Sequence, residues 1–135
     1  MNTMISNRLR NLFFLSIPIF AAHEAEEFIG EFWKVDPVTN FASSFFESIP
    51  QAIFIAWNFE FLLFLGVIAF LIKGGRWPLR MFTILGLLFL MELNHLVRFL
   101  FTFQYYPGMI TAFMLIIVGL FFWKELIRNY QSAKS

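Results

Sequence analysis

The sequence predicts an all-helical membrane protein, a four-helix transmembrane bundle with N- and C-termini in the cytoplasm. Three observations carry this. The 135-residue chain is 59% hydrophobic and 14% charged, against about 45–50% and about 25% for soluble domains. Its mean hydropathy is +0.71, and the apolar residues fall in long runs. Its basic residues segregate to one side of those runs. One domain over residues 1–135 is the prior at this length.

A membrane-crossing helix needs about 20 mostly apolar residues. Four stretches qualify as expected spans: Leu12–Ile29, Pro50–Ile72, Leu79–Phe103 and Met109–Trp123. The last is short but extends through the snorkelling stems of Lys124 and Arg128. With the N-terminus inside, the cytoplasmic segments hold Arg8, Arg10, Lys73, Arg76, Arg80, Lys124, Arg128 and Lys134. The outer segments hold Lys34 against Glu31, Asp36 and Glu47, which is the positive-inside asymmetry. Trp33, Trp77, Tyr105, Tyr106 and Trp123 fall at the expected interfaces. Arg8, Arg10 and the run to Ala22 also resemble a signal peptide, but Phe20 stands where cleavage wants a small residue.

Local signals agree with the span ends. Ser48-Ile49-Pro50-Gln51 reads as a capping start with proline in the first turn. Gly74 and Gly75 suit a left-handed cap. Pro107-Gly108 separates spans three and four. In the long outer loop, Phe41, Phe45 and Phe46 suit a short interfacial helix. The 21 phenylalanines read as lipid-facing surface.

Several function classes are excluded. The chain has no cysteine, so disulfides, thiolate metal sites and a cysteine nucleophile are absent. A net charge of +1 gives nucleic acid little to bind. The expected partners are the lipid bilayer and a lipid-like small molecule, and the expected location is the cell membrane.

Ionisable residues inside the spans carry the functional information. A charge at mid-bilayer costs about 2.5–3.5 kcal/mol even on the mild insertion scale. Span one carries His23, Glu24, Glu26 and Glu27; span two carries Asn58 and Glu60; span three carries Glu92, Asn94, His95 and Arg98. At about 1.5 Å per residue, His23, Glu60, Glu92 and His95 lie about 16, 18, 16 and 21 Å from the inner ends of their helices. They share one layer. His23, Glu26 and Glu27 share one face of span one, and Glu92 neighbours His95 on span three. Glu24 points about 100° away from His23.

Four carboxylates (Glu26, Glu27, Glu60, Glu92) face one cation, Arg98. Protons, water or bound cations must offset that excess. Two histidines with these carboxylates, in His-x-x-Glu and Glu-x-x-His spacings, match the donors of helical di-iron and di-manganese centres. Nitrogen and oxygen donors without sulfur suit iron, manganese or zinc. The expected metal ligands are His23, Glu26, Glu27, Glu60, Glu92 and His95, for one or two ions. The expected catalytic residues are His23, Glu27 and Glu60. Asn94 is expected to support the site by bonding between helices, and Arg98 by pairing with Glu27 or Glu92. Trp57 reads as packing.

His23-Glu24-Ala25-Glu26-Glu27 spells H-x-x-E-E. With Asn94-His95 and Tyr106-Pro107-Gly108 further on, the chain resembles the HXXEE-motif family of small prokaryotic membrane proteins. The resemblance implies that His23, Glu26 and Glu27 are defining positions, and it implies no reaction. A metal-dependent membrane enzyme acting on an apolar substrate is the leading expectation. A metal-free acid–base isomerase and a proton or cation carrier are the alternatives.

Overall fold

In a computed structural model of the chain, residues 5–45, 51–72 and 77–133 are described. They form α1 (Asn7–Ile29), α2 (Phe32–Val35), α3 (Pro37–Ser43), α4 (Gln51–Leu71), α5 (Trp77–Met91), α6 (Leu93–Thr102) and α7 (Met109–Ser132). There is no strand among the described residues. Phe46, Glu47, Ser48, Ile49, Pro50, Lys73, Gly74, Gly75, Arg76 and Lys134 lie outside them, and with them the capping start and the paired-glycine cap.

Two helical stretches are long and apolar enough to cross a membrane, Pro78–Thr102 and Met109–Ser132; Phe54–Phe70 within α4 is apolar but shorter. Length and composition therefore support the third and fourth expected spans. The acidic C-terminal end of α1 dilutes its apolar character. Large apolar side chains such as Phe70, Phe101 and Phe103 are at least 77% exposed.

The chain begins its first helix with a side-chain cap, Ser6 accepting from the Leu9 N–H. That satisfies one of the orphan donors of the first turn. The Ser6 N–H also donates to Asn129 Oδ1 at 2.8 Å, and Asn129 Nδ2 donates back to Ser6 Oγ at 3.0 Å. The start of α1 is thus clamped to the end of α7, and the two helices run antiparallel as the most extensive helix pair.

The buried positions of α1 are Leu9, Phe13, Ser16, Phe20, His23 and Glu27. Their alternating four-and-three spacing is a coiled-coil-like seam. Helix α7 answers with Ala112, Leu115, Gly119, Phe122 and Leu126. Three of the first four seam positions are apolar, the other, Ser16, donating to Phe13 O, and the seam then continues without a break into His23 and Glu27. Core packing therefore delivers those two polar groups to the interior.

Phenylalanine is also the core residue, contrary to the lipid-facing expectation alone. Phe13 meets Phe82, Phe82 meets Phe122, Phe122 meets Phe89 and Phe89 meets Phe20, with ring centroids 5.1–5.6 Å apart. Trp33 is likewise buried, packed on Phe28 and Phe54. The segment after α1 folds into α2 and α3, with Phe41 and Phe45 exposed and in edge contact.

Glycine lets α5 and α7 approach. A Cβ on Gly119 would stand 3.0 Å from Phe89 Cβ, and one on Gly86 would stand 2.9 Å from Trp123. Small residues at helix crossings serve this purpose where no water drives association. Gly119→Val is therefore expected to destabilise the bundle by about 1–3 kcal/mol through overpacking. Gly66→Ala, whose Cβ meets nothing within 4 Å, should be near neutral. Thermal unfolding midpoints in detergent compare the two; equal midpoints would contradict this packing.

Candidate metal centre

The polar end of the α1 seam meets a distortion between α5 and α6. Helix α5 ends at Met91 and α6 starts at Leu93. Between them the Glu92 N–H reaches Leu88 O at 3.3 Å, and the His95 N–H reaches Glu92 O at 3.1 Å. That i to i+3 bond is a tightened turn of the kind common at functional sites. It sets Glu92 and His95 against His23 and Glu27.

The four side chains form a closed ring in which imidazoles and carboxylates alternate. His23 Nε2 lies 3.0 Å from Glu92 Oε2 and 3.4 Å from Glu27 Oε1. His95 Nε2 lies 3.2 Å from Glu27 Oε1 and 3.8 Å from Glu92 Oε2. The imidazoles meet edge to face, with centroids 5.1 Å apart. Ligand atoms of His23, Glu92 and His95 all lie within 4.8 Å of one another, close enough to hold one metal ion. Glu92 Oε2 and His95 Nδ1 are buried without a hydrogen-bond partner.

A second layer orients His23. Its Nδ1 is 2.9 Å from Thr111 Oγ1. The Thr111 hydroxyl is 2.6 Å from Glu26 Oε2 and donates to it, so it accepts from His23 Nδ1–H. This network assigns the proton of a neutral His23 to Nδ1. Nε2 then presents a lone pair toward two carboxylates. A proton or a cation at that point is needed to relieve the repulsion, and the Nδ1–H anchor is the usual support of a metal-binding imidazole.

Glu26 is consequently not at the centre. Its carboxylate accepts from Ile110 N–H at 3.1 Å, Thr111 N–H at 2.9 Å, the Thr111 hydroxyl and the Tyr105 hydroxyl at 3.0 Å. It caps the N-terminus of α7, where orphan N–H groups and the helix dipole favour an anion. The sequence suggested a metal ligand because Glu26 shares the His23 face. The missing partner was the incoming helix end, which carries Thr111.

Glu60 is exposed on α4 and lies off the cavity wall. Its depth matches the layer, but its helix face does not. Asn94 is exposed and lines the cavity without bridging helices by a hydrogen bond. Arg98 pairs with Asp36, 3.5 Å away, in place of Glu27 or Glu92, and its guanidinium lies 4.5 Å from the Tyr106 ring centre. Asp36 caps α3 through Val38 N–H and Thr39 N–H and accepts from Tyr106 Oη. Burial and the nearby Asp36 carboxylate push the Tyr106 phenol well above its ordinary range.

Gly108 was legible only as a helix breaker. Its φ is +85°, and a Cβ there would stand 2.7 Å from His23 Cε1, 2.8 Å from Glu27 Cγ and 2.9 Å from His95 Cε1. The backbone entering α7 thus lies directly against the cluster, which no other residue permits.

Beside the cluster is a cavity of about 540 Å³, within the size range of small-molecule sites. His23, Glu27, Glu92 and His95 line it, together with Glu24, which the helical angle had pointed elsewhere. Phe20, Phe32, Phe54, Trp57 and Phe61 supply much of the remaining wall. Trp57 is a wall residue rather than packing alone.

Fold and site define an all-helical protein with a buried His₂Glu₂ centre opening on an apolar cavity. The family described as protein of unknown function with HXXEE motif matches residues 14–122, and the chain belongs to that family. No curated protein and no solved structure matches it.

Gly108→Ala combines a left-handed backbone with contacts to three site residues. It should lower stability by about 2 kcal/mol or more, read as a falling thermal midpoint in detergent. An unchanged midpoint would show that the roof is not tight.

Proposed function

We propose that the protein is a multi-pass enzyme of the cell membrane, crossing it four times with both termini in the cytoplasm. Its His/Glu centre binds one divalent metal ion beside a cavity for an apolar or lipid-like substrate. One observation carries this reading: the ring of two imidazoles and two carboxylates in which His23 Nε2 stands 3.0 Å from Glu92 Oε2 and 3.4 Å from Glu27 Oε1, a point that a cation or a proton must fill. With neutral histidines, two carboxylates balance one divalent ion. The remaining expected donors, Glu26 and Glu60, are capping α7 or exposed, which favours one ion over two. Iron, manganese and zinc all suit nitrogen and oxygen donors.

His23, Glu92 and His95 would hold the ion, with Glu27 in contact with both imidazoles. A bound ion supplies Lewis acidity toward a substrate oxygen. The protein's own groups do the rest. Thr111 and Glu26 keep His23 Nε2 directed inward. The Gly108 backbone covers the cluster. The aromatic wall holds the substrate's apolar body and excludes water.

A metal-free acid–base isomerase is the second reading, favoured by the cavity lying directly against His23. There a proton takes the cation's place, and His23 exchanges it with the substrate. Metal analysis separates the two. Protein purified in detergent should carry about one transition-metal ion per chain, lost in His23→Ala and His95→Ala and retained in Glu60→Gln. Metal-free wild-type protein that refuses added iron, manganese and zinc would leave the acid–base reading. In addition, Thr111→Val removes the acceptor for His23 Nδ1–H. It should weaken metal affinity by about 10–100-fold, measured by competition with a chelator; wild-type affinity would contradict the second-layer role.

A further inference from the structure

One carboxyl group of the polar layer is left without a place. Glu24, Glu27 and Glu92 line the cavity, and Glu26 caps α7. Glu60 does neither, and among the described residues it makes no hydrogen bond or ion pair. It stands on the outward side of α4. The inward side of that helix is Phe54, Leu65 and Ile68, all buried. The outward side is Ala56, Glu60, Leu63, Val67 and Phe70, all exposed. Their alternating four-and-three spacing repeats that of the α1 seam, the pattern by which one helix packs on another. Glu60 lies about 18 Å along the helix from Ile72, near the middle of a hydrocarbon core about 30 Å thick. Acidic groups at that depth are costly and are set against a partner or water. Helix α7 shows the contrast: its outward Ile117 and Leu120 are apolar and exposed, as lipid requires.

We propose, resting on the reading that α4 crosses the membrane, that its outward seam is covered by α4 of a second copy of this chain, in a parallel two-fold dimer with Glu60 opposite Glu60. Copies of one chain insert with one topology, so equal residues stand at equal heights. A two-fold axis along the membrane normal then lays the seam on itself in register. A carboxyl group carrying its proton is both donor and acceptor, so the two Glu60 side chains complete each other, where lipid would leave each unpaired. A single polar seam position also fixes register and partner number. Ala56, one turn away, is small enough for the backbones to approach, and Leu63, Val67 and Phe70 continue the packing.

The test uses the full chain in phosphatidylcholine vesicles. The chain has no cysteine, so each introduced one is unique. Leu63→Cys and Val67→Cys on α4 are compared with Leu120→Cys on α7; all three positions are exposed in the single chain. On oxidation the α4 variants should form covalent dimers, since seam positions come within disulfide reach, and Leu120→Cys should stay monomeric. Association is also read by energy transfer between chains labelled at Gln131→Cys, over a series of lipid dilutions. Glu60→Leu should weaken it by about 5–30-fold, the worth of one interhelical polar contact in model membrane peptides. Glu60→Gln, whose amide is again donor and acceptor, should retain it. Equal cross-linking at all three positions, wild-type chains monomeric at every dilution, or unchanged association in Glu60→Leu each overturns the proposal. If Glu60→Leu does not fold, the cross-linking pattern and the wild-type dilution series decide. Alkaline carbonate extraction of the same vesicles keeps the two readings apart. Chains released by it overturn the membrane reading and the dimer with it. Chains retained yet monomeric overturn the dimer alone and leave α4 to lipid or to another protein's helix.

Discussion

Two carboxylates and two imidazoles share a buried space, and the imbalance of charge among them governs how the bundle is built around it. Burying an unpaired charge in a low-dielectric interior is costly. Here Glu27 and Glu92 are each set between two imidazoles. The geometry gives each carboxylate two nitrogen neighbours, yet with neutral histidines the hydrogen-bond pattern leaves His23 Nε2 without a proton to offer. The centre is thus complete in shape and incomplete in charge. That combination is expensive as a mere structural lock, since interhelical hydrogen bonds in membranes average only about 0.6 kcal/mol.

The three charged or titratable residues of the H-x-x-E-E motif do different work. His23 and Glu27 are one helical turn apart on the packed seam and enter the centre. Glu26 faces the adjacent helix and holds the α7 N-terminus, which in turn brings Thr111 to His23. The motif therefore couples the site to the fold: the same turn of α1 that supplies two centre residues also fixes the helix that orients one of them. Gly108 completes the coupling, because the α7 entry can lie against the imidazoles only without a side chain there.

The segment that covers the cavity is organised by a separate polar group. Asp36 caps α3 and holds Arg98 and Tyr106. This ties α2 and α3 over the cavity, to whose wall Phe32, Val38 and Thr39 contribute. Arg98 thereby serves the covering segment and leaves the charge of the centre to other means.

Much of this was readable from the chain. Long apolar runs of about 20 residues point to an all-helical molecule, because a helix satisfies its backbone within its own segment. The depth of His23, Glu92 and His95, and the i, i+3 or i, i+4 pairing within each helix, follow from helical rise and period. Tertiary structure decided the rest. Depth along a helix says nothing about which way its face turns, so Glu60 matched the layer and yet lies exposed on α4. Angle around α1 grouped Glu26 with His23, but only the arrival of α7 determined that its carboxylate would cap a helix. Local geometry pointed Glu24 away, and the placement of α4 put a cavity in front of it. A sequence records the residues on one helix and their spacing; which neighbours surround them is set by packing between helices.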